Sequence, residues 1–198
     1  MGKISLYFIS AALLQGCVAI STLSLIPSSV VDGTVYMFTG VKVSLALPAK
    51  GIVVAVQQGL HEISLDMNVL EQTDAGYSIN MGNEELDGFI DIERETENLS
   101  TLYVKVRKGV MRQASIEQAV IRSIREWSGQ LSPDVTLDLS TYLPLRRSPD
   151  DSSPVVGWYR QGALATLQQS EHKAWLQISL PSGKKAYLQG ILGKLNNT

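Results

Sequence analysis

Thiol and imidazole groups are scarce in this chain of 198 residues, which has one cysteine, Cys17, and two histidines, His61 and His172. A single cysteine excludes any intramolecular disulfide, whatever the redox compartment, and excludes the zinc sites built on paired cysteines. Neither histidine stands in a nucleophile or acid–base motif. His61 falls in a helical stretch before a strand and His172 in the turn-like Glu171-His172-Lys173, places where a solvated or capping imidazole needs no catalytic partner. No phosphate-cradling glycine loop occurs, and Glu84, Glu85 and Asp87 lack EF-hand spacing, so they read as a solvated turn. Charged residues make up only 18% of the chain, with a formal net charge of −2 and no block of more than two like charges. That pattern argues against a nucleic-acid partner. Together these absences predict a non-enzyme with no catalytic residue, no metal and no cofactor.

What is present begins at the amino terminus. Met1-Gly2-Lys3 precedes an uncharged run of eleven residues from Ile4 to Leu14, which suits a signal-peptide core and is too short to cross a bilayer. Leu14-Gln15-Gly16-Cys17 closes the run. This stretch resembles the lipobox of bacterial lipoproteins, departing from its common form at Gln15. The resemblance implies cleavage between Gly16 and Cys17, a thioether-linked diacylglycerol on Cys17 and an acyl chain on its new amino group. Two chains already make a stable anchor at about 0.8 kcal/mol per buried methylene, so three make release negligible. Val18 stands where an aspartate would imply retention in the inner membrane, so the same pattern implies the outer membrane, with the soluble part facing the periplasm. The alternative is one uncleaved span from Ile4 to Ile26, diluted by Gln15, Ser21, Thr22 and Ser24 and closed by Pro27.

With residues 1–16 removed as a leader, 182 of the 198 residues remain, enough for one ordinary domain or two small ones. Only Lys3 leaves with the leader, so 16 basic groups then face 19 acidic ones, a balance of −3. Residues 17–33, rich in Ser and Val, read as a lipidated tether.

Residues 34–128 carry a first pattern. Val35, Met37, Val41, Val43 and Leu45 alternate as in a half-buried strand. Pro48 then opens a helix with Ile52, Val53, Val56, Leu60 and Ile63 on one face, which Gly51 and Gly59 weaken by about 1 kcal/mol each. Strands follow around Leu65, Met67 and Val69, then around Tyr77, Ile79 and Met81, then at Gly88–Glu95 and Thr101–Arg107. In the last pair Ile90 and Ile92 share a layer with Leu102, Val104 and Val106, and Asp91 and Glu93 share the outer face with Lys105 and Arg107. Ser115 with Gln118 forms a capping-box pattern before a helix carrying Ile116, Ala119, Val120, Ile124 and Trp127, which Gly129 can end. The order strand, helix, four strands, helix predicts an antiparallel sheet with both helices on one face. The element order, and the strand Leu102–Arg107 leading into a Ser-capped helix, resemble a family of small bacterial lipoproteins of uncharacterised function. The resemblance implies a fold and no catalytic residue.

Residues 129–139, with Ser132 and Pro133, read as a linker, and 140–195 as a second module dense in short strands and turns. Leu143-Pro144-Leu145-Arg146, the Ser148-Pro149-Asp150 turn and the run Ser153 to Trp158 resemble the first half of a bacterial SH3-like domain. Trp175, Ile178, Ser182-Gly183-Lys184 and Ala186-Tyr187-Leu188 resemble its second half. The fold class predicted is thus α+β, a two-helix, antiparallel-sheet module followed by a small all-β SH3-like barrel. Alternation puts Leu176, Ile178 and Leu180 on one face and Trp175 on the other. Trp175, with Tyr187 and Trp158, is either a ligand-binding surface or part of a small core that uses every large side chain it has. The functional expectation is an outer-membrane-anchored periplasmic adaptor for a protein, peptide or peptidoglycan partner. The alternatives are a structural subunit of an envelope-spanning secretion or motility complex and a peptidoglycan-binding lipoprotein.

Overall fold

The computed structural model describes residues 40–131, 136–163 and 165–191. The expected leader 1–16 with its cleavage residue Gly16, the expected lipidation residue Cys17 and the expected tether 17–33 lie outside the described residues, as do Val35 and Met37. The elements in chain order are β1 (Val41–Leu45), α1 (Ala49–Glu62), β2 (Asp66–Gln72), β3 (Gly76–Gly82), β4 (Asp87–Thr96), β5 (Leu99–Lys108) and β6 (Met111–Arg112). They continue with α2 (Ala114–Ser128), β7 (Tyr142–Arg146), β8 (Val155–Arg160), β9 (Gln168–Gln169), β10 (Trp175–Ser179) and β11 (Lys185–Gln189).

The expected fold class, an α+β module followed by a small SH3-like barrel, is overturned. All eleven strands belong to one antiparallel sheet in the order β1-β5-β4-β3-β2-β8-β7-β11-β10-β9, with β6 paired to β5, and only two helices accompany it among the described residues. The junction is the edge of β2. There β8 pairs Tyr159 with Val69, Trp158 with Leu70 and Gly157 with Glu71. An exposed strand edge carries unpaired backbone donors and acceptors, and β8 satisfies them from 86 to 90 positions further along the chain.

Two apolar cores use opposite faces of this sheet. The first lies under the helices, where Ile52, Val56 and Leu60 of α1 and Ile124 of α2 meet Leu70, Ile79, Ile90 and Leu102. The second gathers Val69, Leu145, Tyr159, Leu176, Ile178 and Leu188. Strict alternation from Leu65 places Met67 and Val69 on the same face, but a register shift between them puts Met67 in the first core and Val69 in the second. Fully burying each such Leu, Ile or Val stabilises by about 1.5–3 kcal/mol.

Local sequence explains most of the helices, with two exceptions. A Cβ at Gly59 would stand 3.1 Å from Ile124 N and 3.2 Å from the Ser123 carbonyl carbon, so this glycine lets α1 and α2 approach closely. Ser123 Oγ lies within reach of the Gly59 carbonyl (3.1 Å) and the Glu62 carboxylate (2.7 Å), which also accepts Trp127 Nε1 at 2.9 Å. The capping box does not form, because α2 starts at Ala114 with no side-chain cap. Glu117, in the first turn and fully buried, instead accepts the Val106 N–H at 3.2 Å and Arg112 Nη2 at 2.6 Å, tying the helix to the β5–β6 hairpin.

Polar contacts lock the junction between the two halves. Tyr142 Oη donates to the Met67 carbonyl at 2.8 Å, and Arg160 Nη2 donates to Asn68 Oδ1 at 2.9 Å and pairs with Asp66 at 3.0 Å. The Gln57 amide exchanges two bonds with the Asp138 backbone, at 2.6 and 3.1 Å. At Gly157 any Cβ would fall 2.4 Å from the Leu70 carbonyl oxygen. Replacing Gly157 with Ala must therefore displace one of the two strands, and a loss of about 1–3 kcal/mol in urea denaturation is expected. Wild-type unfolding should give one transition, coincident by circular dichroism and tryptophan fluorescence, since both cores share the sheet. Separate transitions for the two halves would contradict that sharing.

Candidate functional site

The face of the sheet away from the helices is where the second core ends and a cleft begins. Val69 closes that core, and its cross-strand partner on β3 is Asn80. Beyond β10, Leu180 and Pro181 lead into a turn in which Gly183, at φ 82°, takes a left-handed conformation suited to glycine. This turn is pinned to β2, with Ser182 donating to Glu71 from its N–H at 2.9 Å and from its hydroxyl at 2.6 Å. Glu71 is buried, so the two donors replace the water its carboxylate has lost. The pin holds the end of β10 against the sheet and leaves a concavity beside it.

The cleft has a volume of about 390 Å³. It is lined by Val69 and Asn80 from β2 and β3, by Gln177, Ile178, Ser179, Leu180 and Pro181 from β10 and the turn after it, and by Ala165, Thr166 and Gln168 from β9 and the segment leading into it. The polar side chains of the lining are neutral amides and hydroxyls, groups that can hydrogen-bond an uncharged ligand. Asn80 Nδ2 makes one long contact, 3.5 Å to the Gly88 carbonyl. The side chains of Thr166, Gln168, Gln177 and Ser179 make no hydrogen bond among the described residues.

Next to Asn80 a polar row crosses the sheet, with Glu71, Ser78, Asp91 and Tyr103 in register on β2, β3, β4 and β5. Ser78 Oγ donates to Asp91 Oδ1. Burial raises the Asp91 carboxyl above the ordinary aspartate range, the Ser78 hydrogen bond opposes that rise, and the negative charges of Glu93 and Glu71 add to it. Asp91 and Glu93 do not face Lys105 and Arg107 directly. Asp91 stands opposite Tyr103, Phe89 opposite Lys105, and the ion pair formed is Arg107 with Asp87 at 2.8 Å.

Trp158, Trp175 and Tyr187 share the face of the carboxy-terminal strands that points away from the second core, since each alternates with residues of that core or with Gly157. They differ in access. Trp175 is 8% exposed, Trp158 packs half-buried against the first core and Tyr187 is half-buried. None of the three lines the cleft. His61 is exposed in the last turn of α1 and His172 in the turn before β10. Glu84 and Glu85 sit in the β3–β4 turn, where Asn83 Oδ1 accepts the Glu85 and Leu86 N–H groups and Glu85 pairs with Lys108 at 2.6 Å. No group of three or more His, Asp or Glu side chains is disposed to hold a metal among the described residues. Likewise among the described residues, no helix is long and apolar enough to cross a membrane.

Sequence periodicity did not single out Asn80, Thr166, Gln177 or Ser179. Each is an ordinary outward polar residue of a strand or loop, and only the folding of β10 toward β2 brings them together. No model of a known protein family matches the chain, and no curated protein is significantly similar to it.

The raised Asp91 carboxyl sets a pH test. Its folded pKa lies above its unfolded value, so ionising it destabilises the fold. That penalty is absent below the unfolded value near 3.8, grows as pH rises through the window up to the folded pKa, and is constant above it. Asp91→Asn keeps an acceptor for Ser78 and removes the charge. Its stability relative to wild type should be most favourable at neutral pH, with the advantage shrinking as pH falls toward 3.8 in parallel urea titrations. An advantage that grows on acidification would contradict the assignment.

Proposed function

We propose that this chain is a lipid-anchored protein of the bacterial outer membrane whose folded region works in the periplasm as a non-catalytic binding module, with the cleft over Asn80 as its ligand site. The observation that carries the binding role is the cleft itself, where the side chains of Thr166, Gln168, Gln177 and Ser179 make no hydrogen bond among the described residues. Anchoring is supported by Leu14-Gln15-Gly16-Cys17 at the end of an uncharged run. A binder fits better than an enzyme because His61 and His172 stand exposed on separate elements and neither lines the cleft.

The chemistry of the lining favours a polypeptide ligand. Asn80, Gln168 and Gln177 each offer an amide donor and an acceptor, matching the alternating groups of an extended backbone. A glycan site commonly presents an aromatic ring for stacking, and the lining has none.

Two measurements test this reading. Metabolic labelling with a clickable fatty acid should mark the wild type and leave Cys17→Ser unlabelled, and label on the serine variant would refute anchoring. A photocrosslinker at Thr166 should trap a defined envelope protein in living cells, with yield reduced at least tenfold by Asn80→Lys and unchanged by a substitution at exposed Asn98. Co-sedimentation with purified sacculi that is lost in Asn80→Lys would replace the polypeptide ligand with the cell wall. Crosslinking indifferent to Asn80→Lys would remove the cleft as the site.

A further inference from the structure

The two most exposed large apolar side chains of the described residues are neighbours, Val110 at 97% and Met111 at 65%. They form the tip of the β5–β6 hairpin, where Lys108 pairs with Met111 across a two-residue turn. Gly109, at φ 58° with nothing within 4 Å of a Cβ, supplies the positive φ that the turn requires. The tip is built to stand out. Arg107 and Arg112 pair at the hairpin base, and Glu117 grips Arg112 and the Val106 N–H from α2.

The place of this tip in the sheet gives it a partner. β1 runs antiparallel to β5 with Val41 opposite Val104, so Gly40, where the chain enters the sheet, lies at the end toward which β5 runs on to Lys108 and the tip. Gly40, the first described residue and 23 positions after Cys17, therefore lies at the end of the sheet from which Val110 and Met111 project. Resting on the anchored reading above, we infer that the Val110–Met111 hairpin tip inserts into the lipid surface that holds Cys17 and orients the folded region on the membrane.

Electrostatics defines the kind of contact. The basic residues at the tip are matched, Arg107 by Asp87 (2.8 Å), Lys108 by Glu85 (2.6 Å) and Arg112 by Glu117 (2.6 Å). Attraction to anionic headgroups is therefore weak, and the contact is apolar and insensitive to salt. Two side chains bury too little surface to bring a free protein to a membrane. Tethering converts the encounter into an intramolecular one, in which that small gain suffices to choose an orientation.

The single cysteine makes the test clean. In the lipidated full-length protein Cys17 is blocked, so Val110→Cys supplies the only reactive thiol, and Asn98→Cys, in the turn at the opposite end of β5, supplies the control. Each is labelled with an environment-sensitive fluorophore and reconstituted into phosphatidylethanolamine vesicles with and without phosphatidylglycerol. The label at 110 should shift to shorter wavelength and be quenched by nitroxide-bearing acyl chains equally in both vesicles and at both low and high salt, while the label at 98 stays in water. A protein that floats with the vesicles while its label at 110 remains water-like overturns the inference and leaves anchoring intact. A shift that appears only when envelope proteins are added also overturns it, in favour of a protein socket. A protein that fails to float and takes label on Cys17 itself removes the anchor, and the inference falls with it.

Discussion

At Asn68 the backbone of β2 carries one residue more than its partner β3, and this bulge turns Met67 and Leu70 toward the helices while Val69 turns toward the second core. One strand thereby belongs to both apolar cores. Every arrangement that distinguishes the molecule depends on that shared strand: the continuous sheet, the opposite placement of the cores, and the cleft where the second core ends beside Asn80. The bulge is held by side chains as well as by the ladder, since Arg160 reaches both Asn68 and Asp66 and Tyr142 donates to Met67.

The same strand provides the electrostatic pin. Glu71 sits one position past Leu70, buried, with Ser182 supplying both of its hydrogen bonds across more than a hundred residues of sequence. A carboxylate placed there without donors would be strongly unfavourable. With them it fixes the end of β10 and so the mouth of the cleft. Fold and candidate site are one construction, because the contact that stabilises the second core is also the contact that shapes the concavity next to it.

At the far end of the sheet from the β4–β5 turn, the molecule is organised around exposure. The β5–β6 hairpin pairs its cations with acidic neighbours and leaves Val110 and Met111 without cover among the described residues. An amide-lined cleft lies on one face and an apolar tip at the end where Gly40 enters the sheet; in the proposed reading the first receives a ligand and the second faces the membrane. Both belong to the described residues, whereas Cys17, the anchoring residue of the proposed reading, does not.

Much of the local structure was legible from the amino acids alone. Helical spacing from Ile52 to Leu60, alternation through Tyr77, Ile79 and Met81, and Gly129 after α2 all fall where the corresponding elements occur. These signals report which face of an element is apolar, and that is a local property of the side chains. Which edge meets which is not, because backbone groups are chemically alike along every strand. The pairing of β2 with β8 therefore left no trace in periodicity, and two apparent modules became one sheet. The bulge at Asn68 and the close helix approach at Gly59 were hidden for the same reason, since each is imposed by a distant neighbour. Alternation and helical spacing determined most of the elements and their apolar faces, while tertiary packing alone decided the bulge in β2, the sheet order and which uncharged polar residues converge on the cleft.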